Sequence, residues 1–265
     1  MTTSITSPKK TKRKETLTKL ASALLFLLVW QIAAAMIGNR LLLVGPVEVL
    51  VKFCSMMRRA QFWAVACASS LKIMLSFLLA FSAALVLSVT ANRFPAAEVL
   101  LRPYMLVIKS VPVVSFIVLA LLWLSSARLS IFIAFLMILP VLYQNSLQGL
   151  RSADKGLLQL ARVSRMKPLH TVRLIYIPAL KPYVLSASRS ALGICWKAGI
   201  AAEVIGISPY SIGGMLYQAK VNLEIPELFV WTAVTVLLCV GFEKLFIALL
   251  KYCFTRLEVP GWTSK

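Results

Sequence analysis

The sequence predicts an all-α, polytopic membrane protein with about six transmembrane helices. Of its 265 residues, 60% are hydrophobic, and the mean hydropathy is +0.84, whereas a soluble domain is nearer half apolar. Six apolar runs reach or approach the ~20 residues that cover a hydrocarbon layer of ~30 Å at ~1.5 Å per residue. The formal net charge of +20 is carried by residues that lie mostly between those runs, as the loops of a membrane protein carry them.

Taken in order, residues 1–19 form a basic tail with Lys9, Lys10, Lys12, Arg13, Lys14 and Lys19. Span one covers 20–37. Its apolar run is longer than the core of a cleaved leader, so it reads as retained. Beyond it, Val47, Leu50, Val51, Cys54 and Met57 recur at helical spacing opposite Glu48, Lys52, Ser55 and Arg58. That spacing suits a short helix lying along the interface, or equally a plain loop cap. Span two covers 69–90, span three 105–124 and span four 129–148. The loop "SSAR" is short enough to make spans three and four an antiparallel hairpin. Pro112 and Pro140 are predicted to kink them, since each removes a helix hydrogen bond. Span five covers 183–205 and span six 228–250, which bounds a transmembrane domain of 20–250. A tail of 251–265 follows.

Orientation comes from lysine and arginine. With the N-terminus inside, nineteen fall on the cytoplasmic side and six outside, and Lys72, Arg189, Lys197 and Lys244 lie in spans. The asymmetry predicts a multi-pass protein of the cell (inner) membrane with both termini cytoplasmic. Basic residues scattered between spans face membrane lipid and form no nucleic-acid patch. The five cysteines make no CxxC pair, and a single histidine excludes a multi-histidine cage. The chain has no phosphate loop, nucleophile elbow or HExxH motif. It therefore reads as a non-enzyme with no metal site.

One segment departs from the greasy background: "GLLQLARVSRMKPLHTVRLIYIPALKPY", 156–183, with Lys155 just before it. Leu157, Leu160, Ala161 and Ser164 are predicted to share a helix face. Pro168 disfavours helix at Lys167, and a second short helix is expected over 169–175, before Pro178. Two short helices leaving the membrane suit a groove on a partner.

These residues resemble the cytoplasmic signature of the integral membrane permeases of binding-protein-dependent ABC importers, type I fold. That signature is Glu-Ala-Ala, three residues, Gly, nine residues, Ile, one residue, Leu-Pro. Here its places hold Gln159, Leu160 and Ala161, then Arg165, then Ile175, Ile177 and Pro178. Glutamine replaces the family glutamate, and Arg165 replaces a glycine suited to a left-handed turn. "SVPVVSFIVLALLW", "PALKPYVLSASRSALGICWKAGIAAEVIG" and "SIGGMLYQAK" extend the likeness towards the subgroup for sulfonates, nitrate, taurine or thiamine precursors.

The resemblance implies a permease subunit that forms the path for a small solute. It implies a coupling loop, about 152–180, that docks on a separate cytoplasmic ABC ATPase through Gln159, Leu160, Ala161, Arg162, Arg165, Ile175 and Pro178. It also implies an extracytoplasmic substrate-binding protein and a permease homodimer. ATP and Mg would be used by the partner, and no cofactor by this chain. Two alternatives stay open at this point. One is the transmembrane scaffold of an energy-coupling-factor transporter, and the other a non-transporting membrane adaptor.

Charges inside spans are costly and usually face a cavity or a partner. Lys197 and Glu203 are therefore candidate path residues, six apart and about 120° apart on a helix, so they do not pair readily. Gln144 and Asn145, at the inner end of span four, are candidates to wet a vestibule.

Overall fold

The computed structural model describes residues 8–39 and 42–257, and every regular element among them is helical. In order these are α1 (Pro8–Ile37), α2 (Pro46–Met57), α3 (Ala60–Arg93), α4 (Pro95–Ser110), α5 (Val113–Ala120), α6 (Ser126–Arg151), α7 (Lys155–Val163), α8 (Pro168–Thr171), a π-helical turn (Val172–Tyr176), α9 (Ile177–Ile205), α10 (Ile212–Val221) and α11 (Ile225–Leu257).

By length and composition three helices can cross a membrane: α3, α6 and α11. The pair α4 and α5 makes a fourth if the two are one span, but they meet at a bend of 100°. The expected third span is therefore broken, not merely kinked. Pro112 stands at the break: it is the N-cap of α5 at φ −57 and ψ 137, and it cannot continue the ladder from α4. Pro140 lies inside α6, which stays continuous. Helix α1 carries an apolar stretch, Leu24–Ile37. Helix α9 has 29 residues, enough for ~43 Å at ~1.5 Å per residue, but it holds Lys181, Arg189, Lys197 and Glu203.

The centre of the molecule is α6 laid between α3 and α9. Small residues let the backbones approach: Ala80, Ala84, Ala134, Ala187 and Ala191 are all buried there. Lipid tails are as apolar as leucine, so packing and interhelical hydrogen bonds drive this association. Two such bonds cross the core. Ser130 Oγ donates to the Gly199 carbonyl at 3.1 Å, and Ser76 Oγ to the Ile131 carbonyl at 2.9 Å. Aromatic rings close the side towards α11, with Phe62 stacked on Trp231 at 5.0 Å and Phe77 edge-on to Phe246 at 4.7 Å.

The segment after span one is a helix, α2, and not a plain loop. Val49 and Met56 are buried, while Val47, Leu50 and Val51 are exposed. An outward apolar face suits a helix lying at a lipid interface.

Candidate functional site

Residues 152–176 fold into a hairpin with its own small core. Asp154 caps α7: its carboxylate accepts from the Gly156 N–H at 2.6 Å and the Leu157 N–H at 3.2 Å, which satisfies two of the helix's orphan donors. Ala161 and Ile175 are buried together with Ala153, and Leu157, Leu158 and Tyr176 pack around them. Leu160, expected to share a face with Leu157 and Ala161, points away from them and is exposed. The inward stripe is Leu157, Leu158 and Ala161, because the hairpin closes on its own second arm. Gln159, Arg162 and Arg165 are exposed. Val163 and Leu169 are exposed to 83% and 76%.

The turn keeps the left-handed geometry without its glycine. Arg165 has φ 48. The Met166 N–H reaches the Ala161 carbonyl at 2.9 Å, and the Arg165 N–H the Arg162 carbonyl at 3.1 Å. This is the paired 6→1 and 5→2 bonding that ends many helices, usually with glycine at the left-handed position.

The expected second helix, 169–175, is not an independent element. Helix α8 runs through the π turn directly into α9. Pro178 has no N–H to give, and its ring crowds the carbonyl four residues back. The ladder widens instead, and the Ile177 N–H reaches the Val172 carbonyl. Within that turn the Arg173 guanidinium donates to the carbonyls of Arg256 and Leu257. It supplies donors and positive charge to the end of α11, where free carbonyls collect. At the hairpin's other root, Arg151 pairs with Glu98 of α4, Nη1 to Oε1 at 3.0 Å. The hairpin is thus tied to α4 and α11.

Lys197 and Glu203 part company, as their spacing requires. Lys197 is exposed on α9. Glu203 is 0% exposed, so it does not snorkel to an interface. Its Oε2 accepts from Ser69 Oγ at 2.8 Å and from the Gly213 N–H at 3.1 Å. Lys72 Nζ stands 3.5 Å from its Oε1. Ser69 Oγ in turn accepts from the Ile212 N–H at 2.8 Å. In the sequence Lys72 shows only as a charge within a span and Ser69 carries no signal, because these side-chain partners of Glu203 lie more than 130 positions away.

Gln144 is exposed and accepts from Lys109 at 3.0 Å. Asn145 is half-buried and donates to the Val141 carbonyl of its own helix at 2.8 Å. Arg189 and Lys197 share the exposed side of α9 with Ser186, Ser190 and Ile194. Among the described residues no group that could hold a metal ion occurs.

Fold and site together define a polytopic helical membrane subunit with a protruding, self-packed hairpin. Residues 72–257 match the family described as "Binding-protein-dependent transport system inner membrane component", and the chain belongs to that family. It is an inner-membrane permease component of a binding-protein-dependent ABC importer, a family without ATPase activity of its own, and it works with an ATPase and a binding protein. The energy-coupling-factor scaffold and the non-transporting adaptor are thereby set aside.

The chain is 27% identical to the putative aliphatic sulfonates transport permease protein SsuC of Bacillus subtilis, over 72% of this chain and 70% of that one. It is 24% identical to the taurine transport system permease protein TauC of Escherichia coli, over 78% and 77%. A crystal structure of an amino acid ABC transporter with histidines shares the fold, at a TM-score of 0.56 and 15% identity over 78% of this chain and 96% of that one.

Proposed function

We propose that the 152–176 hairpin is the handle by which the ATPase drives this permease. It lies on the cytoplasmic side with both termini, and two copies of the chain enclose the path. The observation that carries this reading is the hairpin's surface. Leu160, Val163 and Leu169 are exposed on a segment otherwise lined with Arg162, Arg165 and Lys167. Its own core, around Ala161 and Ile175, holds the shape without them. Exposed apolar side chains on a rigid, basic hairpin call for a protein groove. Closure of the partner on ATP and Mg would push the hairpin, and α9 would carry the movement into the membrane.

The solute is a small oxyanion, sulfonates being the leading class. Aliphatic sulfonates and taurine, named for the two relatives, both carry such a group. Arg189 and Lys197, both on the exposed side of α9, suit a wet path that passes it. Lys109 with Gln144 adds a further cation.

The test is Val163→Glu in the complete transporter. It is expected to abolish co-purification of the ATPase and cut uptake at least tenfold, with the permease still folded, since the side chain touches no core. Wild-type uptake in Val163→Glu would sink the reading.

A further inference from the structure

One carboxylate joins three helices at the end of α9 remote from the hairpin. Glu203 belongs to α9, Ser69 and Lys72 to α3, and Gly213 to the first turn of α10. The connection between α9 and α10 is drawn tightly onto the same point. The Ser208 N–H bonds the Glu203 carbonyl at 3.0 Å, Ser211 Oγ donates to the Ser208 carbonyl at 2.8 Å, and Lys72 reaches Ser208 Oγ at 3.4 Å. A Cβ on Gly213 would sit 2.3 Å from the Glu203 Cβ, and one on Gly214 would sit 2.1 Å from the Ser208 carbonyl oxygen. Ile207 and Tyr210 are held at φ 48 and φ 50. Left-handed non-glycine residues persist only where the surroundings over-determine them.

A buried ion pair adds little net stability, since desolvation offsets the attraction, and its best-attested use is to fix register. Apolar contact would suffice to attach α10. A charge with hydrogen bonds of fixed direction from Ser69 and Gly213 sets its position as well. Glu203 has no exposed surface in this chain, so it does not offer its charge to a passing solute. At its other end α9 is continuous with the hairpin through the π turn.

We propose that Glu203 is a positioning residue that makes α10 and its leading turn one body with α9, so that movement of the hairpin reaches the far face of the membrane. This rests on the hairpin being the handle. Ser69 and Lys72 are the other two parts of the joint.

The experiment uses the complete transporter with its ATPase and binding protein, the five native cysteines replaced, and spin labels at Ile194→Cys on α9 and Gln218→Cys on α10, both exposed sites. The distance between them is expected to be the same without nucleotide and with ATP bound. Glu203→Gln keeps the side-chain volume. It is expected to broaden that distance and cut uptake per ATP at least tenfold, with hydrolysis within about twofold of the parent. Lys72→Met, at a partly exposed position, is expected to act in the same direction by several-fold. A change in the 194–218 distance between nucleotide states in the parent overturns the proposal, and so does wild-type uptake per ATP in both variants. If Val163→Glu leaves the ATPase bound while that distance stays fixed, the handle reading fails and the joint stands.

Discussion

At the scale of single residues, the chain tolerates left-handed backbone where glycine is the ordinary choice. Arg165, Ile207 and Leu223 each follow a helix end at positive φ, and each N–H bonds back three residues. Such a conformation costs a residue with a Cβ about 1–2 kcal/mol, part of which glycine would return as unfolded-chain entropy. Arg165→Gly is therefore expected to leave the hairpin equally stable or better by up to about 1 kcal/mol. Arg165→Val, branched at Cβ, should lose about 1 kcal/mol or more. Hydrogen exchange at the Met166 amide reports both, with protection unchanged or raised several-fold in the first and lowered several-fold in the second. At Gly213 there is no such latitude. Alanine there would put its Cβ 2.6 Å from the Val204 nitrogen, against backbone that cannot rotate away. Gly213→Ala is expected to cost several kcal/mol and to appear as loss of folded protein on size exclusion.

At the scale of elements, the π turn explains why part of the hairpin was illegible in the sequence. The spacing from Gln159 to Pro178 and the exposure of Arg162 and Arg165 could be read from residue types. Pro178 was visible as a helix boundary, but the structure makes it a change of ladder within a continuous helix. Spacing groups Leu160 with Leu157 and Ala161, but the structure separates them, because the inward direction of α7 depends on where the second arm lies. The cause assigned to the π turn can be checked. Pro178→Ala restores an N–H and removes the ring, so the ladder can close at normal pitch, which would turn α8 relative to α9 by about 100° per residue lost. Reactivity of a thiol at Leu169→Cys should then change several-fold towards a membrane-impermeant reagent, with a several-fold fall in uptake. Unchanged reactivity would mean that something other than Pro178 holds the turn open.

At the scale of the whole molecule, composition revealed the membrane class at once, and the helix that matters most was the least obvious span. Helix α9 carries four charges, so apolarity alone does not pick it out, and the side chains that answer Glu203, Ser69 and Lys72, stand on α3. Long-range closure of this kind leaves no local pattern. A second closure binds the far side of the bundle. Lys52 of α2 reaches Glu224, just before α11, at 3.1 Å and Glu227, in the first turn of α11, at 3.3 Å. Burial works against the Lys52 charge, but the two carboxylates outweigh it and hold the ammonium above its usual 10.5. The hydrogen bond with Glu227, then the Lys52 ammonium and more weakly Arg59, hold the Glu224 carboxyl below its usual 4.5. A raised lysine contributes stability below 10.5 and loses it only as pH climbs through its higher folded value. A lowered carboxylate contributes above 4.5 and loses it as pH falls through its folded value. The clamp is therefore complete between about pH 5 and pH 10 and opens in acid. Its charges are partly exposed, which limits it to about 0.2–1 kcal/mol per pair, or a few degrees in melting temperature at most for a chain of this size. Lys52→Met should lower the melting temperature of the detergent-solubilised protein at pH 7 by that amount and by less at pH 3. If parent and variant differ equally at both values, the link between α2 and α11 is apolar packing and not this clamp.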